Sequence, residues 1–344
     1  MKKFGFGVYI GRFQPFNNAH LETVRIALSK VDNLIIVLGS DSTARTIKNP
    51  WSSIERIKMI RDCLSPGDNL RVEFVLAKDY LYTENLWLTS VQEKVNALVH
   101  GSKDVALIGY KNKSSMYLDQ FPQWELLEVE QLQNGVTGNH IRNQYFSCDL
   151  IDIKRMVPEP VFNIMKNDMM VSSSETRPEF IELQKEYHHI IEYKDMWAKA
   201  PFPPIFVTVD AIFIKSGHVL VVRRKGYPGK GLIALPGGFL NPNEKIRDAC
   251  LRESKEETVI KLTKEEMLKA LRDEHVFDDP DRSLRGRTIT HAFCFDLGQG
   301  PLPKVKGSDD AEKAWWMPLR DVYASEEKFF EDHFHIITYF TNKF

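Results

Sequence analysis

Between residues 4 and 129 the chain alternates short β-rich runs with segments of helical apolar spacing. Residues 4–10, 33–39, 71–77 and 104–109 read as strands, and 18–29, 52–64 and 89–100 read as helices between them. A further strand is expected at 124–129 and a helix from 138 to 145. Strands separated by helices cannot pair through tight hairpins, so this alternation predicts a parallel sheet with helices on both faces. The pattern then breaks. Val171-Ser172-Ser173-Ser174 leads into a charged helical stretch, 178–197, and then into Ala200-Pro201-Phe202-Pro203-Pro204. A Pro-rich run can neither join a sheet interior nor continue a helix, which suits a boundary. From 205 the chain is β-rich, with strands expected at 206–214, 219–223, 288–295 and 314–317 and one strong helix at 244–257. Its 344 residues exceed what a single core holds. We therefore expect an α/β domain over 1–170, a boundary segment over 171–203 and a second domain over 204–344. The stretch from Phe329-Phe330 to Phe344 reads as a terminal helix that packs on its own domain or on a partner chain.

Charge removes several function classes. Lys+Arg is 46 against 47 Asp+Glu, so no global basic field exists to hold nucleic acid or a membrane surface. No apolar run approaches the roughly 18 residues needed to span a bilayer. Gly5 and Gly7 break the apolar run after Met1-Lys2-Lys3, and Arg12 ends it without a small-residue cleavage site, so it reads as a strand and not a signal peptide. Cys63, Cys148, Cys250 and Cys294 form no C-x-x-C pair, which argues against zinc and against a disulfide scaffold. A cytoplasmic protein acting on small molecules is expected. Homo-oligomerisation stays open.

The first strand runs into Gly11-Arg12-Phe13-Gln14-Pro15-Phe16-Asn17-Asn18-Ala19-His20. A glycine at a strand end lets backbone approach a ligand, and the free N–H groups of the next helix make an anion site at the loop. His20 falls in the first helical turn, facing that site. In Thr137-Gly138-Asn139-His140-Ile141-Arg142 a Gly again precedes a helix, and an Arg one turn in can grip phosphate oxygens. Trp51 and Trp87 are open between ring-stacking partners and core aromatics.

The first string resembles the nucleotidyltransferase superfamily with the HxGH motif, and more narrowly the archaeal-type nicotinamide mononucleotide (NMN) adenylyltransferases. Residues 137–142 resemble that family's S-G-T-x-I-R motif, and Asn49-Pro50-Trp51 with Glu55-Arg56 is similar to a further segment. Asn17, Ala19 and Asn139 depart from the pattern. The resemblance implies a Rossmann-like domain in which an NMN phosphate attacks the ATP α-phosphorus, with Mg²⁺ bridging phosphates. It implies that His20 and Arg142 stabilise the developing charge, with Gly11, Arg12, Phe13, Asn17, Lys111, Thr137, Gly138 and Asn139 around the nucleotides.

In the second half Glu253, Glu256 and Glu257 fall at helical i, i+3 and i+4 positions. Like charges stacked this way destabilise a plain helix. A hard divalent cation relieves the repulsion, and Arg252 can brace the cluster. From Gly238 through Glu244 and Arg252-Glu253 to Ile260, the string resembles the Nudix box, departing at Ser254 and Val259. The resemblance implies an α/β/α sandwich and hydrolysis of a nucleoside diphosphate linked to another group. Glu253, Glu256 and Glu257 would bind Mg²⁺, with Mn²⁺ as the alternative, and Glu253 and Glu257 would be catalytic. The general base stays open among Glu257 and the acids of 278–281 and 309–312. The Arg282–Arg287 stretch, with Arg285 and Arg287 as candidate phosphate contacts, is similar to ADP-ribose pyrophosphatases.

The two resemblances together imply a bifunctional enzyme of NAD metabolism with ATP, NMN, NAD and ADP-ribose as its small molecules. One alternative keeps the folds and changes the substrates: another phosphate acceptor such as phosphopantetheine, and another dinucleotide. A second makes the Nudix part a ligand sensor. The complete Glu cluster speaks against the sensor.

Overall fold

The computed structural model describes residues 4–110, 116–129, 136–170 and 178–342. Lys111 lies outside the described residues. The chain divides into two compact units, Met1–Gln184 and Lys185–Phe344.

The first unit contains β1 (Phe4–Gly11), α1 (Asn18–Lys30), β2 (Val31–Leu38), α2 (Ser53–Arg61), α3 (Pro66–Asn69), β3 (Val72–Leu76), α4 (Glu84–Val99), β4 (Val105–Gly109) and β5 (Glu125–Glu128). After them come α5 (Gly138–Phe146), α6 (Leu150–Met156), α7 (Glu159–Met170) and the start of α8 (Pro178–Trp197), within which the division falls. All strand pairs are parallel, in the order β3-β2-β1-β4-β5. Val8, Ile10, Ile35, Val37 and Leu107 pack with Val91, Val95 and Val99 of α4 on one face. Leu34, Ile36, Ala106 and Ile108 point the other way and are equally buried. The strands are therefore near-continuous hydrophobic runs, as a doubly covered parallel sheet requires. The strand order reverses beside β1, so a crevice opens past the carbonyl ends of β1, β2 and β4. The expected elements are all present; α4 starts at Glu84, one turn before the expected 89.

The second unit carries β6 (Ile205–Lys215), β7 (His218–Arg224), β8 (Ile233–Ala234), β9 (Gly237–Phe239), α9 (Ile246–Thr258), α10 (Lys264–Ala270), β10 (Leu271–Phe277), β11 (Arg287–Asp296), β12 (Ala311–Pro318), α11 (Leu319–Tyr323) and α12 (His333–Thr341). Its sheet is mixed, β10-β11-β6-β7-β12, with β8 on β7 and β9 on β6; only β11 and β6 run parallel among these pairs. Val209, Ala211 and Phe213 of β6 pack against Ala249, Cys250 and Leu251 of α9. Asp210 points to the opposite face, where His333 of α12 lies 3.9 Å away. Helices thus cover both faces, giving the expected α/β/α sandwich. The terminal helix packs on its own unit, with Ile336, Ile337 and Phe340 fully buried.

Two differences from expectation have a local cause, beside short unexpected elements such as β8 and β9. The helix expected at 244–257 begins at Ile246, because the Glu244 side chain accepts the Asn241 N–H (2.9 Å) and holds its segment as a turn. β10 was not expected: Leu-Arg-Asp-Glu-His-Val-Phe has little apolar alternation, and the strand forms at a sheet edge where pairing with β11 suffices.

α9 ends at Val259 in the left-handed region (φ 51°), where the Nudix box has glycine. A β-branched residue there is strained by about 1–2 kcal/mol, partly offset by its smaller unfolded-state entropy. The Val259 side chain is 44% exposed, so little burial opposes its removal. Val259→Gly should therefore stabilise the second unit by about 1 kcal/mol, read as a Tm rise of about 3 °C; a fall in Tm would contradict the strain argument.

Candidate active sites

The first site is assembled at the crevice beside β1. Asn17 caps α1: its Oδ1 accepts the His20 N–H (2.9 Å), and its own N–H donates to His20 Nδ1 (3.1 Å). Because Nδ1 accepts, the neutral ring carries its proton on Nε2. Phe13 and Phe16 pack on the ring, with centroids 5.0 and 5.8 Å away. Burial among them lowers the His20 pKa to about 4. His20 is thus a neutral Nε2–H donor at neutral pH, not an imidazolium. Phe13 has φ 52° and folds its ring over Gly11, where an added Cβ would lie 2.9 Å from Phe13 Cζ. Gly11 and Phe13 therefore shape the floor under His20.

The second motif docks on this loop. Thr137 Oγ1 accepts the His140 N–H (3.2 Å) and starts α5. Gly138 approaches so closely that a Cβ would sit 3.1 Å from both Gln14 O and Arg142 Nη1. Buried Arg142 donates to Gln14 O (2.7 Å), Ile47 O (3.1 Å) and Asn139 Oδ1 (3.4 Å). Gln14 and Trp51 exchange two hydrogen bonds through the Gln14 amide, 2.8 and 3.1 Å. Trp51 is buried and packs on Tyr145 (4.9 Å) as a core aromatic, and Trp87 is half-buried and packs on Phe121 (5.8 Å) at the edge of the core. Arg12 is exposed, and its charge helps to lower the Arg142 pKa to about 10, after burial. Arg142 stays charged at neutral pH. Neither its hydrogen bonds nor any ion pair among the described residues brings it a carboxylate.

The second site centres on the C-terminal half of α9. Arg252 clamps three acids: Glu244 (2.6 and 3.0 Å), Glu253 (2.8 Å) and Glu256 (2.9 Å). Glu257 is buried and accepts the Gly237 N–H (3.0 Å). Burial, with Glu253 and Asp210 nearby, pushes its pKa up to about 8. Burial also raises Glu253, with Glu256 and Asp309 adding to the shift. A Cβ on Gly237 would lie 2.1 Å from Val209 O, so only glycine admits the strand β9 there, and one on Gly238 would lie 2.6 Å from the Glu253 carboxyl carbon and push that carboxylate aside. Among the described residues no three acidic, His or Cys groups converge closely enough to hold an ion as they stand. The donor set nonetheless fits a hard divalent cation: mutually repelling carboxylates whose present counter-charge is Arg252.

Three comparisons bear on these sites. Residues 8–179 match the cytidylyltransferase-like family, and residues 204–340 match the NUDIX domain. A nicotinamide/nicotinic acid mononucleotide adenylyltransferase of Acinetobacter baylyi is 40% identical over 167 residues, 48% of this chain and 87% of that protein. An ADP-ribose pyrophosphatase of Methanocaldococcus jannaschii is 37% identical over 116 residues, 34% of this chain and 63% of that protein. A crystal structure of a bifunctional NMN adenylyltransferase/ADP ribose pyrophosphatase from Francisella tularensis, complexed with AMP and Mn ion, superposes with TM-score 0.89. It is 36% identical and covers 99% of both chains. The chain belongs to this bifunctional family.

Within the adenylyltransferase part the structure brings together Gly11, Arg12, Phe13, Asn17, His20, Thr137, Gly138, Asn139 and Arg142. Two residues given no role by the sequence complete the frame. Arg56 is fully buried under Arg12, and Gln14 joins both motifs. In the Nudix part Arg285 lies over Phe239 (5.1 Å), the residue after Gly238, and near Glu331 (3.9 Å). Arg287 instead turns to Asp278. Arg282 is buried in a bidentate pair with Asp332 (2.8 and 2.8 Å), a structural tie. Arg224, over Phe330 (4.1 Å), and Asp210 both act electrostatically on Glu257. Neither carried a sequence signal: Arg224 closes an ordinary strand, and Asp210 sits inside one.

The His20 state has a pH consequence. Its pKa is depressed when folded, so between about 4 and about 6.5 the unfolded chain binds the proton and the folded chain does not. Stability from this group is lost as pH falls through that window. His20→Gln should flatten the acid limb of stability between about pH 6.5 and 4, measured by urea unfolding; an unchanged limb would refute the neutral buried ring.

Proposed function

We propose that the first unit makes NAD from NMN and ATP and that the second hydrolyses ADP-ribose to AMP and ribose 5-phosphate. The observation that carries the first half is buried Arg142, whose hydrogen bonds reach no carboxylate, beside exposed Arg12. Such surplus positive charge at a parallel-sheet crevice suits a triphosphate. An NMN phosphate oxygen forms a bond to the ATP α-phosphorus, the α–β bridging bond breaks, and pyrophosphate leaves with its electron pair. The protein contributes position and charge and no nucleophile. His20 donates from Nε2, Arg12 and the two remaining N–H groups of Arg142 face the phosphates, and Asn17 keeps the imidazole aimed. Divalent metal dependence is expected in both halves, with Mg²⁺ as the working ion.

In the second unit Glu253, Glu256 and Glu257 would hold that cation. When bound it supplies charge neutralisation and an activated water. The chain's own residues hold the site for it. Arg252 braces the acids, Gly238 leaves room beside Glu253, and the Gly237 N–H orients Glu257. Arg285, beside Phe239, is the better-placed candidate for the substrate diphosphate. Among the described residues no helix is long and apolar enough to cross a membrane. The free cysteines, Cys148 exposed among them, suit the reducing cytoplasm.

The deciding experiment gives the full chain Mg²⁺ with NMN plus ATP in one tube and ADP-ribose in another. NAD in the first and AMP in the second are expected. NAD without AMP would turn the Nudix part into a sensor or a hydrolase of another dinucleotide. AMP without NAD would mean a lost or reassigned first site. His20→Ala should lower NAD synthesis by about 100-fold or more and spare hydrolysis; Glu257→Gln should lower hydrolysis by a similar factor and spare NAD synthesis. Loss of both activities from either change, in a folded protein, would sink the two-site reading.

A further inference from the structure

Arg56 is the bulkiest fully buried side chain among the described residues, at 0% exposure. Its guanidinium has five N–H bonds to place. Nη1 donates to Arg12 O (2.6 Å) and Gly39 O (2.7 Å). Nη2 donates to Ser40 O (3.3 Å) and Ser53 Oγ (3.0 Å), and Nε to Ser52 O (3.4 Å). Every donor therefore meets an acceptor, and every acceptor is neutral. The nearby acids act on it only through space: Asp41 accepts from Ser53 Oγ (2.5 Å) and Ser42 Oγ (2.9 Å), and Asp79 from the Ser40 N–H (3.2 Å).

Burying a guanidinium that hydrogen-bonds no carboxylate is costly, and an apolar side chain would often fill such a space as stably. What an apolar chain could not do is tie three backbone segments at once. Arg12 lies just past the end of β1, Gly39 and Ser40 just past β2, and Ser52 and Ser53 at the start of α2. The Gly39 N–H also reaches Gly11 O (2.9 Å). These segments form one wall of the phosphate crevice, and Arg12 projects from it into solvent.

We infer that Arg56 is a positioning residue for adenylyl transfer: it fixes the carbonyl ends of β1 and β2 so that Arg12 is held over the phosphates. The inference rests on the NMN adenylyltransferase reading and adds to it a residue that touches no substrate. A lysine cannot reproduce it, since an ammonium has three donors and no planar fork.

The test uses the full chain and a double-mutant cycle read in NAD synthesis. Wild type making no NAD would defeat the adenylyltransferase reading itself; the following outcomes judge Arg56 alone. Arg56→Lys should lower kcat about 100-fold while KM for ATP stays within about threefold, with one ATP still bound per chain. In an Arg12→Ala background the same change should cost under about threefold, because the group it positions is gone. An equal cost in both backgrounds, or an unchanged kcat in Arg56→Lys, would overturn the inference. Arg56→Ala supplies a second reading. Added guanidinium should restore kcat and methylammonium should not; recovery with both equally, or with neither, would also overturn it. ADP-ribose hydrolysis should stay at the wild-type rate throughout.

Discussion

Two guanidinium groups buried at the carbonyl ends of β1 and β2 set the geometry of the adenylyltransferase unit. Arg56 draws the exits of β1 and β2 onto the start of α2, and Arg142 draws α5 onto Gln14. Both are bonded to neutral acceptors; Asp41 and Asp79 offset part of the Arg56 charge through space, whereas no carboxylate does so for Arg142. The Arg142 charge is left to act across the crevice, where Arg12 adds to it. Through Gln14 the same arrangement fixes Trp51, which packs on Tyr145 of α5, so motifs far apart in sequence are tied together.

The Nudix unit uses the opposite sign. Here carboxylates are in surplus, and Arg252 is the cation that keeps them together. Glu257 is deeper and answers to the Gly237 N–H and to buried Asp210 instead. The acids most exposed to solvent are thus braced by an arginine, and the least exposed one is held largely protonated at neutral pH. Glu253, Glu256 and Glu257 would hold a divalent cation, and because burial keeps Glu257 largely protonated, its binding there would be coupled to pH.

Much of the fold was legible because its signals are local. Strand and helix alternation and the glycine at the end of β1 each act over a few residues. So does the i, i+3, i+4 spacing of Glu253, Glu256 and Glu257, which a helix converts directly into a shared face. Elements that owe their existence to pairing were not legible. β10 is polar for a strand and is held by β11; β8 and β9 are short and are held by β7 and β6. Trp51 is a case where residue type misleads, since an aromatic near a nucleotide motif suits stacking and a core equally well, and only its burial against Tyr145 separates the two.

By itself the sequence determined the two chemistries, since each depends on residue types at short fixed spacing along one strand–helix junction or one helix. Tertiary structure alone decided which residues complete each site. Arg56 reaches the Arg12 carbonyl 44 positions away, and Arg142 reaches Gln14 across 128. Asp210 meets Thr290 across 80. It also decided the protonation of His20 and Glu257, because a pKa is set by the water excluded around a group and the charges left near it. Those quantities exist only once distant segments have packed together.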